Sequence, residues 1–186
     1  MDGMGWTSRS GKRLVLREGD ITRVEAGAIV NAANAALAGG GGVDGAIHRA
    51  GGPQLMRELD EIRERTGGCA TGSAVVTGAG KLPARFVFHA VGPVYRDGRH
   101  GEADLLASCH RTCFQLAEER GVDVLSFPAI STGVYGYPLQ EAAAIAIREA
   151  VICLERPGGS VREVIFVLFG KKAYDAFADA LSKQTQ

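Results

Sequence analysis

The chain has 186 residues, a length that suits one domain with a single core. Hydrophobic residues make up 46%, which excludes a disordered chain over most of its length. Twenty-one basic residues balance twenty-one acidic ones. A general nucleic-acid binder carries a basic surplus to neutralise phosphates, and none is visible here.

In chain order, the first stretch is residues 1–11, polar and glycine-containing. It lacks an apolar run, so it reads as a poorly ordered N-terminal segment ahead of a single domain at 12–186. Without a signal or membrane-spanning stretch, a soluble cytoplasmic protein is expected. Arg13–Arg17 alternates like a strand, and Ala28–Ala32 is a short apolar strand. Ala46–Ala50 looks helical. Pro53–Arg65 is an amphipathic helix, with Leu55, Met56, Leu59 and Ile62 on one face. A loop at Gly67–Gly72 precedes strands at Ser73–Thr77 and Phe86–Val91. Ala103–Arg120 is a helix that Gly121 caps. Val124–Pro128 is a buried strand, Leu139–Glu155 a helix rich in Ala and Ile, Glu163–Phe169 a strand, and Ala173–Ser182 a closing helix. Strands separated by long helices define an α/β layer sandwich around a mainly parallel sheet. Ligands of such folds sit at the carboxyl ends of the strands.

The four cysteines, Cys69, Cys109, Cys113 and Cys153, form no C-x-x-C pair and no disulfide framework. Cys109 and Cys113 share a helical pattern with Leu105 and Leu116 and read as small hydrophobes on a buried face. His110 is expected to point away from that face, and no second ligand pair completes a zinc set.

Two loops stand out. Asn31-Ala-Ala-Asn34 follows a strand, and Gly39-Gly-Gly-Gly-Val-Asp-Gly45 leads into a helix. Glycines lack a Cβ and reach positive φ, so their amides can approach an anion closely. The following helix adds free N–H groups and its dipole. The segment alone also fits a hinge without a ligand. Gly40-x-Gly42-x-x-Gly45 matches the dinucleotide fingerprint, but the first glycine stands too far from its strand. No Walker pattern or nucleophile elbow occurs. The second loop, Pro128–Pro138, also joins a strand to a helix. Ser131 and Thr132 offer hydroxyls, and Gly133 allows backbone approach. Two such loops can grip a diphosphate from both sides.

Five segments carry a resemblance: Gly19–Thr22, Ala28–Asn34, Gly39–Ala50, His89–Pro93 and Ile130–Gly136. In this order they resemble the macro domain family, specifically its MacroD-type hydrolase branch. The resemblance runs from about Leu14 to Leu181. It implies a three-layer α/β/α sandwich with a six-stranded mixed, mainly parallel sheet and an ADP-ribose site. It also implies hydrolysis of O-acetyl-ADP-ribose and of mono-ADP-ribose esters on Asp or Glu side chains.

The resemblance places Asp20 as acceptor for the adenine amino group, with Ile21 giving a backbone contact. The residues alone also allow Asp20 to cap a turn with Thr22. Phe169 would pack on the adenine or its ribose, although its strand would equally suit the core. Gly41, Gly42, Val43 and Asp44, with Ser131, Thr132, Gly133, Val134 and Tyr135, would surround the diphosphate and distal ribose. Tyr135 is a wall rather than an acid. Asn34 would bond a ribose hydroxyl, and Asp44 would orient a water that attacks the ester. An aspartate is ionised at neutral pH, its reference pKa being about 3.9, so it suits positioning water better than deprotonating it. Asp44 would also suit the first turn of a helix as a carboxylate answering the dipole. His48 reads as a structural histidine bonded to backbone, and His89 as core.

The resemblance calls for no metal or cofactor. Its expected partners are ADP-ribose, ADP-ribosylated proteins and O-acetyl-ADP-ribose, with nucleic-acid-linked ADP-ribose open. A compact chain without an apolar interaction segment suggests a monomer. A non-catalytic ADP-ribose reader is the alternative, disfavoured because binding-only relatives lack the paired Asn and Gly-Val-Asp pattern. An NAD-linked Rossmann enzyme is disfavoured by the misplaced fingerprint.

Overall fold

A computed structural model describes residues 3–186. The strands are β1 (Gly5–Thr7), β2 (Arg13–Glu18), β3 (Ala28–Ala32), β4 (Ala74–Gly78), β5 (Phe86–Ala90), β6 (Val124–Phe127) and β7 (Glu163–Leu168). The helices are α1 (Gly42–Gly51), α2 (Gln54–Thr66), α3 (Glu102–Glu119), α4 (Leu139–Glu155) and α5 (Lys171–Gln184). One sheet runs in the order β1-β2-β7-β6-β3-β5-β4. Its five central strands are mutually parallel, and β1 and β4 close the edges antiparallel.

Pleating sorts the residues of each strand between two helical layers. Ala28 and Val30 of β3 join the core beneath α3, α4 and α5, whereas Ile29 joins Ile47 of α1 and Leu55 of α2 on the opposite face. The architecture is therefore the expected three-layer sandwich. Gly121 follows α3 with φ +64, as its capping role requires.

The expected six strands become seven. Gly5–Thr7 pairs with β2 in the register Gly5↔Val15, Trp6↔Leu14, Thr7↔Arg13. Met4 N–H donates to the Tyr174 hydroxyl at 2.8 Å, which ties this segment to α5. Most of the segment expected to be poorly ordered is thus structured, while Met1 and Asp2 lie outside the described residues. Three residues are too few to display a period of two, so the strand had no sequence pattern of its own.

His110, expected to point away from the Cys109–Cys113 face, does not reach solvent. It is buried and stacks on Phe127 at 5.3 Å between ring centroids, because α3 is enclosed on more than the Cys109–Cys113 stripe. Burial lowers its pKa to about 4, against a bond to the Leu106 carbonyl that favours the charged form. Among the described residues no helix is long and apolar enough to cross a membrane.

Candidate active site

The parallel strands end on one edge of the sheet, and the loops that leave them carry the residues expected to bind ligand. Asp20 and Ile21 follow β2, the glycine segment follows β3, Ser131–Tyr135 follows β6, and Phe169 follows β7. Because β2, β7, β6 and β3 are consecutive in the sheet, these loops line one continuous rim.

The glycine loop is shaped by side chains that precede it. Asn34 donates from Nδ2 to the Gly39 carbonyl at 2.8 Å, and its Oδ1 accepts from Ala38 N–H at 3.2 Å. Leu37 adopts φ +54 while its side chain is buried with Ala33, Leu59 and Val91. Gly39 and Gly42 have φ +79 and +56, conformations that L side chains rarely adopt. The loop then enters α1, whose N-cap is Gly41 and which no side chain caps. The first-turn amides at Gly42, Val43 and Asp44 therefore have no intrahelical acceptor and suit an anion.

Asp44 is buried, yet its carboxylate is specifically held. Asn31 Nδ2 donates to Asp44 Oδ1 at 2.8 Å. The other oxygen faces the glycine loop: a Cβ built on Gly40 would lie 3.4 Å from Asp44 Oδ2 and 3.9 Å from Asn34 Nδ2. Asp44 and Asn34 therefore converge on the same side of Gly40. Asn34 spends one donor and one lone pair inside its loop, and the second N–H and second lone pair of its amide remain for a ligand.

Asn31 had no place among the expected functional side chains. The signal was present in strand parity: Ile29 faces the α1 layer, so Asn31, two residues on, faces it too. His48 is not bonded to backbone as expected. Its Nε2 lies 3.3 Å from Asp44 Oδ1, off the line of a hydrogen bond. His89 is fully buried in β5, as a core histidine would be, but it is hydrogen-bonded at both nitrogens. Burial, with the His48 ring nearby, lowers its pKa to about 3, so the ring is neutral.

The second loop is held in an unusual backbone conformation. Ser131 has φ +67, and its buried Oγ has no partner among the described residues. Tyr137 N–H donates to the Ser131 carbonyl at 2.9 Å, and Thr132 Oγ1 donates to the Ala129 carbonyl at 2.8 Å. Tyr95 N–H donates to the Tyr135 carbonyl at 2.8 Å. Gly92, beyond β5, makes room for this turn, because a Cβ there would sit 2.3 Å from Ser131 Oγ. Non-glycine residues at positive φ cost energy and concentrate at functional sites. Gly133 and Val134 are exposed, Val134 fully, and Tyr135 is half-buried.

At the far end of the rim, Asp20 caps the short turn Ile21–Arg23. Its Oδ1 accepts from Thr22 N–H at 2.9 Å and from Thr22 Oγ1 at 2.7 Å, while Oδ2 lies 3.7 Å from Arg23 Nε. The Thr22 hydrogen bonds hold its carboxyl below the usual range. Capping and ligand recognition are compatible, since a carboxylate has further lone pairs. Phe169 stands 91% exposed just past β7 and takes no part in the core. A large aromatic ring presented to solvent beside this rim is what a stacking platform requires.

One further grouping, Asp97, His100 and Glu102, brings carboxylates and an imidazole within reach of one another. Glu102 is already committed to the amides of Arg96, Asp97, Gly98 and His100. Burial opposes its charge, but these backbone bonds together outweigh it and hold the carboxyl at about 2. The grouping clasps the loop that opens α3.

Fold and rim together define a three-layer α/β/α protein whose loops after β2, β7, β6 and β3 share the carboxyl edge of its sheet. The family model for the Macro domain matches residues 30–146. A macro domain-containing protein of Caldanaerobacter subterraneus is 52% identical over 91% of this chain and 95% of its own length. O-acetyl-ADP-ribose deacetylase 1 of Pantoea vagans is 49% identical over 92% of this chain and 99% of its own. Among solved structures, the Oceanobacillus iheyensis macrodomain with ADP superposes with a TM-score of 0.92 at 40% identity, covering 97% of this chain and 95% of that one. The chain belongs to the macro domain family, in its MacroD-type branch.

Proposed function

We propose that the protein binds ADP-ribose along this rim and hydrolyses esters on its distal ribose. It removes acetate from O-acetyl-ADP-ribose and mono-ADP-ribose from Asp or Glu side chains. The observation that carries this reading is the Asp44 carboxylate, buried, fixed at Oδ1 by Asn31, and directed by Oδ2 toward Asn34 across the glycine loop. The deacetylase names of close relatives support the substrate class.

In this reading the adenine lies between Asp20 with Ile21 and the exposed ring of Phe169. The diphosphate meets the N-cap Gly41 and the uncapped amides of α1 at Gly42–Asp44 from one side and the Ser131–Tyr135 loop from the other. The distal ribose then reaches Asn34 and Asp44. Asp44 Oδ2 accepts a hydrogen bond from a water and holds it against the ester. The water oxygen adds, the ester bond breaks, and the two water protons end on the released hydroxyl and the released acid. Positioning alone removes several kcal/mol from such a barrier when the geometry is close to reactive. We further take the protein to act as a cytoplasmic monomer without a metal or cofactor.

The test is turnover across defined linkages, acetyl, glutamate, serine, arginine and nucleic-acid phosphate, with Asn34→Ala and Asp44→Ala as controls. Release from the acetyl and glutamate esters that both variants lose supports the proposal. ADP-ribose binding without release from any linkage makes the protein a reader.

A further inference from the structure

Behind Asp44, outside the ligand rim, a buried line of polar groups continues from Asn31 into the sheet, and its members beyond Asn31 have no part in the chemistry above. In the sheet, Asn31 of β3 is the direct partner of His89 of β5, and His89 in turn pairs with Val75 of β4. Thr77, two residues along β4 from Val75, is the diagonal neighbour of His89 on the same face. Asn31, His89 and Thr77 are all buried. Asn31 Nδ2 lies 3.1 Å from His89 Nδ1, His89 Nε2 lies 2.9 Å from Thr77 Oγ1, and Thr77 Oγ1 donates to the Gly78 carbonyl at 2.8 Å.

The direction of every bond in this line is determined. A backbone carbonyl only accepts, so the Thr77 proton is spent on Gly78 and its oxygen must accept. His89 therefore carries its proton on Nε2 and presents a bare Nδ1. Bare Nδ1 can only accept, so Asn31 must turn its amino group toward it. The same amino group has one proton left, and that proton goes to Asp44 Oδ1. Starting from the other end gives the same answer, because a carboxylate is acceptor-only. The line has four bonds and one consistent set of proton positions. Reversing the Asn31 amide would set its carbonyl against both Nδ1 and the carboxylate.

We infer that His89, backed by Thr77, is a positioning residue for the proposed hydrolysis: it locks the Asn31 amide in the one orientation that fixes the Asp44 carboxylate. This rests on the role proposed for Asp44. With the lock in place, Oδ1 is occupied and Oδ2 alone addresses the cleft. Without it, the carboxylate alone holds the Asn31 amide, so the plane of the pair is less sharply fixed, while the ADP-ribose contacts on the rim stay as they were.

Asn and Leu are close in shape and differ in whether they offer an acceptor at the position of Nδ1. His89→Asn keeps the bond to Asn31, and His89→Leu removes it. Both lose the Thr77 contact and similar volume, and the buried Asn amide is the costlier of the two, so a purely structural role would not favour His89→Asn. For O-acetyl-ADP-ribose we expect His89→Leu to lower kcat by about tenfold or more, the rate equivalent of losing the positioning that the Asn31 bond gives the Asp44 carboxylate. His89→Asn should keep kcat within about threefold of the parent, and both variants should keep ADP-ribose affinity by calorimetry within about threefold, since neither touches the rim. Equal kcat for the two variants overturns the inference.

Nitrogen NMR of the parent protein is a second test, and it needs no variant to fold. His89 should show a proton on Nε2 and none on Nδ1 at neutral pH, and the opposite tautomer overturns the lock. Asp44→Ala is assayed alongside. If that variant keeps full turnover, the reading of Asp44 has failed and the lock's role in hydrolysis fails with it. If Asp44→Ala is inactive while the two His89 variants match, only the positioning role of His89 has failed.

Discussion

Asn31 and Asp44 are thirteen positions apart, and a 2.8 Å hydrogen bond joins them across the junction of β3 and α1. The bond fastens the first turn of α1 to the middle of the sheet. It places an anionic carboxylate beside uncapped helix amides that themselves attract an anion. In the proposed site a ligand phosphate and Asp44 would share that region of positive potential, with the Asn31 bond keeping the carboxylate in place.

Gly40 lies beside both Asp44 and Asn34, and a Cβ there would reach only ordinary contact with them, so a branched side chain is needed to disturb the pair. Gly40→Val would direct its Cβ at Asp44 Oδ2 and Asn34 Nδ2. We expect turnover of O-acetyl-ADP-ribose to fall by about 10²-fold, because a displacement of roughly 1 Å in a reacting group has that effect. ADP-ribose affinity should fall less. Calorimetry and initial rates on one preparation check the split, and equal losses in both would place Gly40 in binding only.

Gly92→Ala tests the second loop from behind. Its Cβ would lie 2.3 Å from Ser131 Oγ and 2.6 Å from Ile130 Cγ2, so the turn at Ser131 must move. Overpacking of this kind costs about 1–3 kcal/mol. We expect a lower Tm and ADP-ribose affinity weakened by about tenfold, an energy of the same order. An unchanged affinity would show that the Ser131–Tyr135 loop is not a wall of the diphosphate site.

Phe169→Ala removes a ring that is 91% exposed. Surface substitutions that break no packing change stability by no more than about 0.5 kcal/mol, so the urea midpoint should hold. ADP-ribose affinity should fall by about tenfold through loss of aromatic contact with the adenine end. A large loss of stability would mean that Phe169 is structural.

Two buried histidines make stability depend on acid. The pKa values of His89 and His110 are lowered from 6.5 to about 3 and about 4, chiefly by burial. Below pH 6.5 the unfolded chain takes up protons that the folded chain refuses, so stability is present above that pH and is lost as pH falls toward the folded values. Urea unfolding at pH 7 and pH 5 should therefore give a lower free energy at pH 5. His110→Phe, which keeps an aromatic ring against Phe127, should reduce that difference. An undiminished difference would mean that His110 does not contribute to it.

Much of this architecture was legible in the sequence, for reasons that the structure explains. Long amphipathic patterns such as Pro53–Arg65 and apolar strands such as Glu163–Phe169 are set by local periodicity, and they came out within a residue or two. The two polar loops were legible because each joins a strand to a helix through glycine. What could not be read needed neighbours far away in sequence. β1 has three residues and exists by pairing with β2. His110 is buried because α3 is covered on more than one side. Asn31 and His89 meet only through the β3–β5 register, which no local pattern encodes.

The central claim is that Asp44 drives hydrolysis rather than affinity. The most direct measurement is O-acetyl-ADP-ribose turnover by Asp44→Ala, paired with ADP-ribose calorimetry on the same protein. Removing the carboxylate leaves an Asn31 N–H without its acceptor, so a stability loss of about 1–3 kcal/mol is expected and the variant must first be shown to be folded. We predict turnover lower by about 10²-fold or more, with affinity retained within about an order of magnitude. Turnover close to that of the parent protein, or affinity and turnover lost in equal measure, would contradict it.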